Sequence, residues 1–304
     1  MLSRIVKSTA LVALTACALN AASFNAQAEK DRTEIIKYFE AKFADPEKNK
    51  NTFFPYSTDE ELKNGYAKGL KHDDFGIGSY SYAKDAKEQY LAIKEMPPYE
   101  DAIDAGAELY KKAFANGKSI STCFPDPAVT NIYPYFDEKR NELISLTQAI
   151  NECITSNGEK AWDTKKGDMA SLQAYMAAQT TEAGKKIDIK IESKAAAEAY
   201  ERGKEYYYTQ RGYLKLSCAT CHVQGSGQRV RNEKLSPMLG SMTHWPVHRL
   251  KWGNLGTVER RISGCIKDEG QVPPKDTSAQ MKELLYYMSY ISNDMAVDGP
   301  DIRK

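Results

Sequence analysis

Two cysteines and a histidine with fixed spacing carry the clearest chemistry in this 304-residue sequence. Cys218, Cys221 and His222 form the pattern C-x-x-C-H within SCATCHVQGSGQR, residues 217–229. Two thiols one helical turn apart can form thioethers with the vinyl groups of a haem, and the adjacent imidazole can then ligate the iron. A redox disulfide would not need His222, and a zinc site would need a second C-x-x-C pair, which the sequence lacks. The motif therefore predicts one covalently attached haem c.

The N-terminus predicts export. Arg4 and Lys7 precede an apolar run over residues 9–19, which is too short to span a bilayer. Ala26 and Ala28 then form the small-x-small pattern of a signal-peptidase site, so residues 1–28 are interpreted as a signal peptide. Lipoprotein processing at Cys17, after Leu14-Thr-Ala, is the alternative. Either route leads to an oxidising compartment, which suits covalent haem attachment, and we expect the periplasm.

Composition restricts the partners of this chain. Hydrophobic residues make up 41% of the sequence and the formal net charge is +1 at pH 7, which gives no support for binding nucleic acid or a charged membrane surface. After the leader, no segment is long and apolar enough to span a membrane. Residues 29–99 are polar and rich in Lys, Asp, Tyr and Pro, and we expect them to form an extension that wraps around the body.

The remainder of the chain looks like a duplication, although coincidental helical patterns are the alternative. Helical periodicity dominates, and few segments alternate Val, Ile and Thr, so strands are not expected. We therefore predict an all-α fold with two cytochrome c-like domains, residues 100–194 and 195–304. The matching segments are GAELY (106–110) with GKEYY (203–207), SISTCF (119–124) with SCATCH (217–222), Tyr133-Pro134 with Trp245-Pro246, AINEC (149–153) with RISGC (261–265), and MASLQAYM (169–176) with MKELLYYM (281–288).

The first repeat has lost the haem motif. It has Ile120, Cys123 and Phe124 where the second repeat has Cys218, Cys221 and His222, so the first domain is expected to carry no haem. Cys123 and Cys153 would both lie around the vacated pocket, where they can form a disulfide. Such a bridge would stabilise the fold by about 3–4 kcal/mol through loop-closure entropy. Two separate buried thiols are the alternative.

Cys265 is the cysteine left over, and its place in the repeat corresponds to Cys153. It follows His222 at a distance where cytochrome c domains commonly supply a second axial ligand. Arg261 lies four residues earlier, on the same face of a helix, and could hold an anion against the sulfur. From these residues alone, Cys265 can equally be a buried thiol and Arg261 a solvated side chain. The other ligand candidates are Met238, Met242, Met288, His244 and His248.

Several long segments resemble the SoxA subunit of the SoxAX cytochromes. They are SCATCHVQGSGQR, LSPMLGSMTHWPVHRLKWGNLGTVERRISGC (235–265), GKSISTCF, NIYPYFDEKRNELISLTQAINEC and the closing SNDMAVDGPDIRK. The resemblance covers roughly residues 60–304. Ile120 and Phe124 make this chain similar to the single-haem members of that family.

The resemblance implies a set of functional expectations. It implies two fused cytochrome c domains, with Cys265 as the distal haem ligand in persulfide form and Arg261 as the residue that contacts the substrate anion. It implies L-cysteine S-thiosulfotransferase activity, in which thiosulfate is joined to a cysteine of SoxY in the SoxYZ carrier. The SoxX subunit and an acceptor cytochrome would receive the electrons. The alternative is a plain electron-transfer cytochrome, in which Cys265 only sets the haem potential.

Overall fold

The computed structural model of the chain describes residues 24–230 and 233–303. The first 23 residues of the predicted signal peptide, including Cys17, lie outside the described residues. The α-helices are α1 Ala26–Ala44, α2 Lys50–Phe53, α3 Asp59–Gly65, α4 Lys84–Lys94, α5 Glu100–Lys111, α6 Ile120–Cys123, α7 Leu146–Ser156, α8 Asp168–Glu182, α9 Lys194–Tyr208, α10 Val258–Asp268 and α11 Ala279–Ile291. Two 3₁₀ segments, His72–Ser81 and Thr130–Ile132, and a π-helix, Thr220–Gln224, complete the helical elements of this part of the chain. Within these residues no helix has the length and apolarity to cross a membrane.

The two halves of the body repeat one helix crossing. Helix α5 packs against α8, and α9 packs against α11. Each crossing depends on a glycine: a Cβ on Gly106 would overlap the carbonyl oxygen of Ser171, and a Cβ on Gly203 would overlap that of Glu283. The absence of a side chain therefore lets the two backbones approach closely. This equivalence supports the duplication predicted from the sequence.

Short strands also repeat, and here the expectation of no strands is wrong. The strands are β1 Tyr135–Asp137, β2 Glu142–Ile144, β3 Arg229–Val230, β4 Glu233–Lys234, β5 Val247–Arg249, β6 Asn254–Gly256 and β7 Asp301–Arg303. The β1–β2 hairpin precedes α7, and the β5–β6 hairpin precedes α10 in the same way. Strands of two or three residues are too short to produce an alternating pattern, so they could not be recognised from the sequence.

Side-chain caps fix where the two equivalent helices begin. The Ser145 hydroxyl accepts a hydrogen bond from Gln148 N at the start of α7. The Thr257 hydroxyl faces Arg260 N at the start of α10 in the same position. Thr257 also donates to the carbonyl of Thr164 at 2.8 Å, which attaches the start of α10 to the first half. Capping satisfies otherwise unpaired N–H groups and sets the rotation of the helix that follows.

The N-terminal extension shares a hydrophobic core with the second half. Phe39, Phe43, Phe54 and Phe75 are fully buried in the same cluster as Met238 and Tyr287. The first half has a separate core around Ile120, Ile150 and Leu172. The extension is therefore a structural part of the half that contains the C-x-x-C-H motif. The limits 29–99, 100–194 and 195–304 remain a prediction.

Candidate functional site

The C-x-x-C-H motif lies on a single tightly held helical turn. Ser217 Oγ accepts from Thr220 N at 3.1 Å, and Thr220 Oγ1 accepts from Ser217 N at 3.2 Å, so the two residues form a reciprocal cap. The turn then widens into a π-helix, in which Gly225 N donates to the Thr220 carbonyl at 2.9 Å. Cys218, Cys221 and His222 thus project from one turn, as attachment of a single planar group requires.

His222 is oriented by its backbone partner. Its Nδ1 lies 2.9 Å from the carbonyl oxygen of Ser236 and donates to it, because a carbonyl can only accept. This tautomer leaves Nε2 with its lone pair available for a metal ion. Burial lowers the pKa of His222, which favours the neutral imidazole needed for ligation.

The thiols near this turn are reduced and half-buried. Burial, together with the negative charges of Glu269 and Cys265, raises the pKa of Cys218 to about 12. The same influences raise the pKa of Cys221. Two neutral thiols, a neutral imidazole and a further sulfur fit haem c, since the porphyrin itself provides the four equatorial ligands. Elsewhere in the described ranges, no cluster of three or more His, Cys, Asp or Glu side chains could hold a metal ion.

Cys265 and Arg261 lie one turn apart on α10. Burial raises the pKa of Cys265, whereas the guanidinium of Arg261, and less strongly that of Arg249, lowers it. Arg261 is half-buried, and across residues 24–230 and 233–303 its side chain forms no hydrogen bond or salt bridge. A partly desolvated arginine beside a thiol creates a site suited to an anionic sulfur compound.

The other candidates for the second axial ligand have different surroundings. Met238 is buried, with its sulfur 3.9 Å from the Tyr287 hydroxyl, and Met242 lines a cavity of about 60 Å³ between the halves. His244 is buried with Nδ1 3.3 Å from Thr243 Oγ1, and His248 lines a second cleft between the halves. Met288 packs against the core. The charge of Cys265 raises the pKa of both Cys218 and Cys221.

The equivalent place in the first half contains a disulfide. Cys123 and Cys153 are bonded, with an S–S distance of 2.00 Å, which is the pairing expected from the repeat. Ile120 and Phe124 are buried in the core of this half, and the Phe124 carbonyl accepts from the Tyr110 hydroxyl at 2.6 Å. Apolar side chains and a disulfide thus take the positions that hold the motif in the second half.

Sequence reasoning missed the contacts that hold the loop after His222. Lys42 Nζ donates to the carbonyls of Val223 and Gln224 at 3.2 and 2.8 Å. The hydroxyls of Tyr66 and Tyr82 donate to the carbonyls of Gly227 and Leu235. All three donors belong to the N-terminal extension. The density of Tyr and Phe in residues 29–99 was the only available signal, and it did not indicate which surface they would contact.

Fold and site together define a c-type cytochrome with two cytochrome c domains in one chain. The family described as SoxA/TsdA, cytochrome c domain, matches residues 105–184 and 202–297. The L-cysteine S-thiosulfotransferase subunit SoxA of Chlorobaculum thiosulfatiphilum is 46% identical over 237 residues, which are 78% of this chain and 82% of that protein. The SoxA subunit of Allochromatium vinosum is 38% identical over 236 residues, 77% of this chain and 84% of that protein. The crystal structure of SoxXA from P. pantotrophus superposes with a TM-score of 0.65 at 27% identity and covers 71% of this chain and 84% of that chain. The chain belongs to the SoxA family.

Proposed function

We propose that this chain is the SoxA subunit of an L-cysteine S-thiosulfotransferase in thiosulfate oxidation. The reaction joins thiosulfate to a cysteine of the SoxY subunit of a SoxYZ carrier. The observation that carries this proposal is the placement of Arg261 and Cys265 one turn apart on α10, together with the influence of the Cys265 charge on both cysteines of the motif. Oxidative coupling of two sulfur groups needs a sulfur site and an electron acceptor at one place, and a haem held by the motif beside Cys265 would meet both needs.

The chemistry is an oxidation with a simple balance. A carrier thiolate and thiosulfate, with three negative charges in total, form one new S–S bond and release two electrons. The product, carrier–S–S–SO₃⁻, retains one negative charge. Cys265 acts in persulfide form, so that its outer sulfur first bonds to the sulfane sulfur of thiosulfate. The carrier thiolate then attacks that sulfane sulfur, takes the thiosulfonate group and leaves the Cys265 persulfide restored.

Cys218 and Cys221 would hold one haem c as thioethers, and His222 and Cys265 would ligate its iron. Haem, when bound, supplies the electron acceptor beside the reacting sulfur. His222 is held in the required tautomer by Ser236. Arg261 binds the sulfonate and reduces repulsion between the substrate and the anionic sulfur of Cys265. Burial raises the pKa of Cys265, and the same arginine opposes this effect by stabilising negative charge on the sulfur.

The proposed assembly is based on the structural neighbour. The structural neighbour is a SoxXA complex, and we propose that this chain likewise pairs with a SoxX subunit in the periplasm. SoxX and a soluble acceptor cytochrome then remove the electrons. The predicted domain limits, 29–99, 100–194 and 195–304, divide this subunit into extension, haem-less domain and haem domain.

A reconstituted assay tests the function. The complex with SoxX is mixed with the carrier, thiosulfate and a ferric acceptor cytochrome, and the intact mass of the carrier is measured with the reduced acceptor. We expect the thiosulfonate mass on SoxY and two acceptor haems reduced for each modified thiol. An electron-transfer cytochrome without sulfur chemistry would leave the carrier mass unchanged. A mass spectrum of the Cys265 peptide should also show one additional sulfur atom.

A further inference from the structure

We propose that Asp276 is a positioning residue for the reaction, which ties the helix that carries Arg261 and Cys265 to the first half of the chain. The inference deepens the proposed function and rests on it. Asp276 lies in the turn just before α11, and its side chain is 12% exposed. It would act through the placement of α10 and would not touch the reacting sulfur itself.

The carboxylate of Asp276 bonds to both halves of the chain. Thr164 Oγ1 donates to its Oδ2 at 2.5 Å, and Lys165 Nζ lies 3.3 Å from its Oδ1. Ser263 Oγ, on α10, donates to the same Oδ1 at 3.3 Å. One carboxylate oxygen is thus held by the first half, and the other is shared between the first half and α10. Hydrogen bonds to an ionised acceptor are roughly twice as strong as those between neutral groups.

Ser263 marks the face of α10 that Asp276 holds. It is 3% exposed, and it lies two residues after Arg261 and two residues before Cys265. Two residues of an α-helix correspond to a rotation of about 200°. Asp276 therefore holds α10 from the face opposite to Arg261 and Cys265. The contact can fix the position of the helix without occupying the site.

A second contact attaches the beginning of α10 to the same segment of the first half. Thr257, which caps the helix, donates its backbone N–H to the Lys165 carbonyl at 3.1 Å and its hydroxyl to the Thr164 carbonyl at 2.8 Å. Residues 164–165 thus hold α10 at its start and, through Asp276, near its middle. Two attachment points along one axis fix the direction of a helix as well as its position. This matters for the reaction, because a misplacement of about 1 Å can lower a rate by about a hundred-fold.

The alternative is that Asp276 only holds the two halves together, and Glu142 provides a matched control for it. The carboxylate of Glu142 also joins the halves, but it reaches a different helix. Lys282 of α11 donates to Glu142 Oε2 at 3.0 Å, and Arg140 pairs with the same carboxylate. Asp276→Asn and Glu142→Gln each replace a carboxylate by an amide of the same shape. The first variant weakens a contact to α10, and the second weakens a contact to α11.

The variants are compared as holo-complexes with SoxX. We expect Asp276→Asn to lower kcat/KM for thiosulfate about ten- to a hundred-fold, because the Cys265 sulfur is displaced. The electron paramagnetic resonance spectrum of the ferric haem should change for the same reason. Glu142→Gln should lower kcat/KM by less than about three-fold and leave this spectrum as in wild type. Amide hydrogen exchange should become faster in α10 for Asp276→Asn and in α11 for Glu142→Gln.

Thr164→Val breaks the same link from the other side. It removes the hydroxyl that donates to Asp276 and keeps the carbonyl that accepts from Thr257. The kinetics and the haem spectrum should change in the same direction as in Asp276→Asn, by a smaller factor. The double variant should be no worse than Asp276→Asn alone, because both substitutions break one link. If Asp276→Asn does not retain haem, Thr164→Val decides the matter, and wild-type behaviour of that variant would contradict the proposal.

Equal losses in Asp276→Asn and Glu142→Gln would mean that Asp276 only joins the halves, and the proposal would be wrong. Wild-type kinetics and a wild-type haem spectrum in Asp276→Asn would also overturn it, as would additive losses in the double variant with Thr164→Val. Failure of the proposed function is a different result, in which the wild-type complex transfers no thiosulfonate to the carrier. In that case the haem spectrum and the hydrogen exchange would still show whether Asp276 holds α10.

Discussion

The ammonium group of Lys42 donates a hydrogen bond to the backbone carbonyl of Gln224 at 2.8 Å, two residues after His222. Lys42 is fully buried, and the rings of Tyr38, Phe53 and Phe54 surround it at 5.6–5.7 Å. A cation at the C-terminal end of a helical turn satisfies carbonyls that have no partner within the helix. The extension thereby fixes the end of the turn that carries the motif.

Burial lowers the pKa of Lys42 from 10.5 to about 8, which predicts a pH-dependent stability. The unfolded chain binds this proton more tightly than the folded chain, so Lys42 makes the free energy of unfolding rise between about pH 8 and 10.5. The difference in that free energy between wild type and Lys42→Met should increase by up to about 3 kcal/mol over this range. Urea unfolding of both proteins at about pH 8 and at about pH 10.5 measures this difference. Lys37→Met, at an exposed lysine, is the control. A difference that does not change with pH would contradict the prediction.

The purified protein should contain one haem per chain. Ile120 and Phe124 are buried in the core of the first half and supply neither a thioether nor an iron ligand. A pyridine haemochrome assay on the mature protein measures the ratio of haem to protein chain. The double variant Cys218→Ser/Cys221→Ser should contain no covalently bound haem. A ratio near two would show that the first half binds haem by other residues.

Removal of the disulfide should destabilise the first half. The bridge closes a loop of 30 residues, and Cys123→Ser should lower the free energy of unfolding by about 3–4 kcal/mol by the loop-entropy relation. Wild type unfolded in the presence of reductant should show a similar loss, which controls for the substitution itself. The haem content should be unchanged. If both thiols of wild type react with iodoacetamide in denaturant without reductant, the bridge is absent.

The repeat could be recognised from the sequence because its landmarks are chemically unusual. The glycines at the two helix crossings and the cysteines at equivalent positions are identical in the two repeats. The two helical halves and the disulfide pairing could therefore be predicted. The role of Gly106 and Gly203 in close backbone approach became evident only in the structure. The hairpins before α7 and α10 were missed because three-residue strands have no periodic signal.

The site was predicted less completely. Cys218, Cys221 and His222 follow from spacing alone, since one turn holds all three. Arg249 belongs to a strand that the sequence did not indicate, so its effect on the pKa of Cys265 depends on tertiary packing. The same is true of Lys42, which reaches Gln224 across about 180 positions of sequence. Local patterns cannot specify contacts over such separations.

Arg261→Ala should reduce thiosulfate turnover and leave the haem spectrum nearly unchanged. Its side chain has no hydrogen-bond or ion-pair partner in the described part of the chain, so its removal should not disturb packing. Loss of one charge-assisted hydrogen bond to substrate corresponds to roughly a ten- to hundred-fold fall in kcat/KM. Steady-state kinetics with the carrier measure kcat/KM for thiosulfate. A value for Arg261→Ala equal to that of wild type would show that Arg261 does not bind the substrate.

Cys265→Met tests the central claim most directly. Thioether ligation should preserve haem and fold and raise the haem potential, because a neutral donor stabilises ferric iron less than a thiolate does. A thioether cannot carry a transferable sulfur, so the account predicts that thiosulfonate transfer is abolished. The decisive measurement is the intact mass of SoxY after incubation with the variant complex, thiosulfate and ferric acceptor cytochrome. The account predicts an unmodified carrier, and addition of the thiosulfonate mass at a rate near wild type would contradict the assignment of Cys265 as the catalytic sulfur.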